Sequence, residues 1–302
     1  MVHEIRSCEG LLIIDDSIQF KPHTKPHTLI NWHYDHCIGK SVKGVNFVSS
    51  FYYSGDYDMG LPVGVEYVKK DHKVIEKSGK VRFKSKETKN QMLRRMVTQA
   101  SYNIEFKYVL ADSWFSSAEN MDCITRECKA DFIMAINSNR VVALSKEDKL
   151  KGNYVGINSL ELEGRTMSVY FKQYENPVLI SKQVFKNGDG STGTLYLATS
   201  DLSLDYHSIT TIYQKRWKVE EFFRSIKNNA SFADSPTKTI KTQQAHFTAS
   251  MIAFAKLERL KIRNKKNHYA MKSQIWIAAT RAAWQQLDKL STPHANFNGI
   301  AA

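Results

Sequence analysis

Long apolar runs are missing from this sequence: nowhere in its 302 residues does an uninterrupted hydrophobic stretch approach the ~20 residues that a bilayer crossing requires. The first ten residues, MVHEIRSCEG, also lack the apolar segment of a signal peptide. These absences predict a chain without membrane association that works in the cytoplasm. Cysteine is scarce. Cys8, Cys37, Cys123 and Cys128 offer no paired framework for a chain of this length, which predicts a reducing compartment. His33, His36 and Cys37 lie close together, but no second cluster with zinc spacing follows, and no structural zinc is expected. There is no low-complexity tract and no internal repeat, and 42% hydrophobic with 24% charged residues is the composition of a folded chain. Acid is the minority charge. Against 43 Lys and Arg stand 30 Asp and Glu, a net +13 that favours a polyanionic partner, with nucleic acid first.

What is there reads as an α/β chain. The apolar run Leu11-Leu12-Ile13-Ile14 stops at Asp15-Asp16, as a buried central strand does where it reaches a polar site. A loop over 20–28 precedes strands over 42–53 and 61–68, which are separated by the turn Ser54-Gly55-Asp56 and predict an antiparallel meander. Met92, Leu93, Met96 and Val97 then mark one side of a helix over 87–102. Two short apolar strands follow. Residues 106–111 run into Asp112, whereas Asp131 begins the strand over 131–136 and so belongs at the opposite end of the sheet. Residues 140–205 change to short alternating segments, including 166–170 and 194–199, with a turn at Asn187-Gly188-Asp189-Gly190. Helices are predicted over 213–228, 242–260 and 273–290. The expected organisation is a mixed sheet flanked by helices, with a core over 1–139 and 206–302 interrupted by a β-rich insertion over 140–205.

The most informative segment is YQKRWKVEEFFRSIK, residues 213–227. At about 100° per residue on one continuous helix, Tyr213, Arg216, Glu220 and Lys227 share a face roughly 60° wide, opposite Val219, Phe222, Phe223 and Ile226. Most charged helix faces are simply solvated. Here, however, the spacing Y-x2-R-x3-E-x6-K matches the signature of bacterial insertion-sequence transposases of the insertion-sequence-four type, which the chain resembles over roughly residues 10–265.

That resemblance implies a ribonuclease-H-like core in which Asp16, in IIDDS, Asp112, in VLADSWFSS, and Glu220 are the catalytic, metal-holding acids. Asp15 competes with Asp16, which is preferred because the family's first aspartate directly precedes a hydroxyl residue, here Ser17 where threonine is commoner. The implied cofactor is a pair of Mg2+ or Mn2+ ions. Phosphodiester cleavage requires an activated water or 3′-hydroxyl and a stabilised leaving oxygen, which two ions about 3.5–4 Å apart supply together. Hard cations of this kind prefer oxygen ligands. The implied reaction is DNA cleavage and strand transfer at transposon ends without a covalent enzyme intermediate, with Tyr213, Arg216 and Lys227 binding the DNA. The implied partners are double-stranded DNA, as transposon end and as target, and a second copy in a dimer assembled on it; the expected location is the nucleoid. Family members also hold a flipped base with the help of the insertion. Trp114 and Trp217 lie near the site in sequence, yet both are expected in buried packing. Members usually carry an N-terminal DNA-binding region ahead of the first aspartate, so a truncated copy is expected here. Asp35 is read as a loop residue outside the site.

Two basic tracts support the DNA expectation. Residues 77–95 carry eight Lys or Arg against one acid, Glu87, and residues 256–266, KLERLKIRNKK, are similar. The rival readings are a nuclease sharing the core and an inactive DNA-binding remnant.

Overall fold

Two apolar clusters, one on each face of a single large sheet, organise the chain. The computed structural model describes residues 1–291 apart from 76, 78, 80, 187, 236 and 238; Asn187 of the expected turn thus lies outside the described residues. In chain order the elements are β1 (Leu11–Phe20), β2 (Ile30–Asp35), β3 (Lys40–Ser54), β4 (Met59–Tyr67), β5 (His72–Ile75), β6 (Val81–Lys84), α1 (Lys89–Ser101), β7 (Tyr108–Ala111), α2 (Ala118–Asp122) and β8 (Asp131–Ile136). They continue as β9 (Val141–Ala143), α3 (Lys146–Lys151), β10 (Val155–Gly156), β11 (Thr166–Phe171), β12 (Pro177–Lys186), β13 (Thr192–Thr199), α4 (Tyr206–Gln214), α5 (Trp217–Asn229), α6 (Ile240–Asn264) and α7 (His268–Ser291).

β3 pairs antiparallel with β1 along one edge and with β2 and then β4 along the other, while β7 and β8 add parallel beyond β1. The order β4–β3–β1–β7–β8, with helices on both faces, is that of a ribonuclease-H-like fold. β13, β12, β11, β9 and β10 extend the same sheet past β8, making eleven strands among the described residues. The texture change near residue 140 therefore marks a switch from parallel to antiparallel pairing within one sheet.

Successive strand residues point to opposite faces. Leu12, Ile14, Val48 and Tyr52 pack with Met92, Leu93, Met96 and Val97 of α1, whereas Leu11, Ile13, Phe47 and Phe51 pack with Val219, Phe222, Phe223 and Ile226 of α5. A sheet buried on both faces needs continuous apolar strands, which is why β1 opens as Leu-Leu-Ile-Ile. α1 begins with a reciprocal cap: the Thr88 hydroxyl accepts from Gln91 N, and the Gln91 side chain accepts from Thr88 N.

Three expectations need correction. The helix expected over 213–228 is two helices, α4 and α5, joined at Lys215 and Arg216. There Arg216 N donates to Tyr213 O at 2.9 Å and Val219 N to Arg216 O at 3.1 Å, the tighter three-residue spacing that breaks a common helical face. Asp35 ends strand β2 instead of lying in a loop, although its carboxylate still accepts from Cys37 N at 2.9 Å in a turn-like contact. β5 and β6 form a separate two-stranded ribbon within the stretch read only as a basic tract. All four cysteines are free, and no helix among the described residues is long and apolar enough to cross a membrane.

Candidate active site

β1 and β7 are parallel neighbours whose ladder ends with Ile14 opposite Ala111, so Asp15 and Asp112 are the residues that directly follow its last pair. Strand parity then separates the two adjacent aspartates. Asp15 follows Ile13 and Leu11 onto the face covered by α5, and Asp16 follows Ile14 and Leu12 onto the face covered by α1.

Their partners agree with that division. Arg216 Nη1 donates to Asp15 Oδ2 at 2.7 Å and Arg216 Nη2 to Glu220 Oε1 at 3.0 Å, so one guanidinium ties two of the acids together. Asp16 instead forms an ion pair with Lys89, the first residue of α1. Asp112 stands where β7 ends, and its Oδ1 accepts from Trp114 N at 3.0 Å, capping a short helical turn. Lys227 Nζ donates to the Ser17 hydroxyl at 3.0 Å. Tyr213 is buried, and its hydroxyl donates to the Ala111 carbonyl at 3.3 Å, immediately before Asp112.

The charges are close enough to perturb one another. Burial pushes the Asp15 carboxyl up to about 7; the Arg216 charge opposes this, while Asp112 and Asp16 add to it. Burial, followed by the charge of Asp16, also raises Asp112, again with Arg216 opposing. Burial lowers Lys227, opposed by Asp35, whose charge thus reaches the site from the end of β2. Asp15, Asp16 and Asp112 are therefore one electrostatic cluster, which Glu220 joins through Arg216. Among the described residues, no three His, Cys, Asp or Glu side chains are gathered into a ready-made metal shell.

Trp114 and Trp217, expected in buried packing, are 56% and 60% exposed. Trp217 opens α5 on the side away from Val219 and Phe222, with the Arg216 guanidinium 5.6 Å from its ring centroid, and Trp114 lies 5.7 Å from the ring of His36. Sequence reasoning counted Lys89 only as part of a basic tract and did not connect it with Asp16. No local signal makes that connection, because 73 residues separate the pair.

Residues 79–255 match the family model described as transposase DDE domain, and residues 1–152 match that described as DDE superfamily endonuclease. No curated protein matches the chain. Each match covers half of the chain or more, and together they take in β1, β7 and α5, the elements that carry the acidic cluster; the chain belongs to the transposase DDE-domain family.

Proposed function

We propose that the chain is a transposase of the insertion-sequence-four type that cleaves DNA at the ends of an insertion sequence and transfers the freed strand to a target. The observation that carries this reading is the juxtaposition of buried Asp15 and half-buried Asp112, which follow the paired residues Ile14 and Ala111 of neighbouring parallel strands, with Asp15 linked to Glu220 through Arg216. Acids crowded together and removed from water are costly as a stability device and useful as a cation site.

The family implies divalent metal ions, and the donors fit them. All are hard carboxylate oxygens, and burial, then the neighbouring acids, raises the carboxyls of Asp15 and Asp112, a penalty that a bound cation would relieve. Asp15, Asp112 and Glu220 would hold two Mg2+ or Mn2+ ions. Asp15 takes the role that the resemblance implied for Asp16, because it shares a face and a cation with Glu220 while Asp16 is turned to Lys89. The ions supply Lewis acidity for phosphodiester displacement.

The chain's own residues do the rest. Arg216 exchanges its two carboxylates for DNA phosphate, which its planar fork suits. Lys227 reaches phosphate from beside Ser17. Tyr213, expected among the DNA contacts, acts from within the core by bracing the Ala111 carbonyl and hence the strand end that carries Asp112. The exposed rings of Trp114 and Trp217 offer stacking surfaces to an unpaired base. Strand transfer is carried out by a dimer assembled on DNA, with residues 1–139 and 206–302 as core and 140–205 as insertion.

The test is incubation of the purified chain with supercoiled plasmid and a duplex bearing a free 3′ end, in Mn2+ and in Mg2+. Nicking and end-joining that vanish in Asp15→Asn, Asp112→Asn and Glu220→Gln but persist in Asp16→Asn support the reading. Loss of activity in Asp16→Asn with retention in Asp15→Asn overturns the choice of Asp15. DNA binding without nicking in either metal overturns the catalytic reading.

A further inference from the structure

Among the described residues β5 and β6 pair only with each other, His72 opposite Lys84 and Ile75 opposite Val81. Parity sorts the eight side chains into a face with His72, Val74, Arg82 and Lys84 and a face with Lys73, Ile75, Val81 and Phe83. None of the eight is acidic, and all but Val74 are exposed, including Phe83 and Ile75. An isolated hairpin of this length is marginal in water, and one that leaves Ile, Val and Phe uncovered is not kept for its own stability.

One of its two feet stands at the acidic cluster. Before β5, Lys70 N donates to Thr28 O at 2.8 Å and the Lys70 ammonium to the Trp32 carbonyl. After β6, the Thr88–Gln91 cap fixes the start of α1, and Lys89 pairs with Asp16. Both feet reach His33, whose pKa is lowered to about 3 by burial and then by the charges of Lys70 and Lys89. Lys84 is five positions before Lys89, so the basic face begins within roughly 17 Å of the residue that pairs with Asp16.

Structure also sorts the basic tract. Arg94 donates to the Asn120 side chain, Arg95 is paired at the surface with Glu66 and Glu87, and Lys89 is held by Asp16, so these three are engaged by the body of the fold. Arg82 and Lys84 lie on the exposed surface of the ribbon itself.

We infer that the β5–β6 ribbon is a DNA arm whose basic face, His72, Arg82 and Lys84, lies on the phosphates of a duplex next to the one being cut. A two-stranded ribbon fits the major groove, and a basic face meets the phosphates along its edge. The inference rests on the reading that the site acts on DNA. It assigns the grip on the flanking duplex to an element outside the 213–227 segment.

The test measures binding of a fluorescent duplex by anisotropy across a salt series. Three proteins are compared: the wild-type chain, an Arg82→Gln/Lys84→Gln variant, and a Lys146→Gln/Lys151→Gln variant with the same charge loss on α3. Two lost phosphate contacts should reduce the slope of log K against log salt by about 2 and weaken binding about tenfold or more in 0.1 M salt, with the α3 variant close to wild type. A ribbon variant indistinguishable from the α3 variant overturns the inference and leaves the proposed function standing. Absence of salt-dependent binding by the wild-type chain overturns both. On the unaltered protein, lysine acetylation read by mass spectrometry gives an independent answer. Lys84 should be protected by DNA and Lys151 should not, and equal reactivity of Lys84 with and without DNA also overturns the inference.

Discussion

Arg216 is a cation holding two carboxylates of the proposed metal site, so Arg216→Gln should destabilise the metal-free protein and sensitise it to metal. Its side chain is 14% exposed, with 2.7 Å and 3.0 Å contacts to Asp15 and Glu220. Breaking a buried ion pair by removing one partner costs about 3–5 kcal/mol, because the remaining charge is left uncompensated. The lower end applies, since Asp15, already pushed up to about 7, escapes part of the penalty by taking a proton. For a chain of 302 residues about 3 kcal/mol corresponds to a fall of roughly 5 °C in melting temperature. Mn2+ should restore much of that loss in the variant, where it binds acids with no competing guanidinium, and should raise the wild-type melting temperature less. Thermal melts of both proteins with and without millimolar Mn2+ read each quantity directly. A variant that melts within 2 °C of wild type without metal, or gains no more than wild type from Mn2+, would refute the idea that Arg216 stands in for the cation.

Two further outcomes follow from individual side chains. Tyr213→Phe removes a buried hydroxyl bonded at 3.3 Å to Ala111 and should cost about 1 kcal/mol while leaving duplex affinity unchanged; weaker binding at unchanged stability would return Tyr213 to the DNA surface. His33 is held neutral by burial and by Lys70 and Lys89, with its pKa lowered to about 3 from 6.5. A histidine depressed in the fold contributes stability above its unfolded pKa that is lost as pH falls toward the folded one. Acidification from pH 7 to 5 should thus remove about 2 kcal/mol through this group, a loss that His33→Leu abolishes. Chemical denaturation of both proteins at the two pH values gives the difference, and equal losses would exclude His33 as the cause.

Much of the site is legible in the sequence because its signals are local. An apolar run ending in acid marks both β1 and β7, and apolar spacing gives α5 its buried face of Val219, Phe222, Phe223 and Ile226. Asp112, Glu220, Arg216 and Lys227 are each named by the resemblance to the family signature that these segments carry, and the +13 charge points to DNA. Tertiary structure decided the questions for which local pattern has no reference. β1 is buried on both faces, so Leu-Leu-Ile-Ile does not reveal which parity faces α5; only the packing of α1 and α5 on opposite sides separates Asp15 from Asp16. The joint at Lys215 and Arg216 involves no proline or glycine, so Tyr213 leaves the polar face without a sequence mark. The exposure of Trp217 depends on what neighbouring elements leave uncovered. The pairing of Lys89 with Asp16 depends on how a sheet brings residues 73 apart in sequence to one point. Residue type and spacing specify which chemistry is available, and the sheet's two-sided packing determines which of those groups meet.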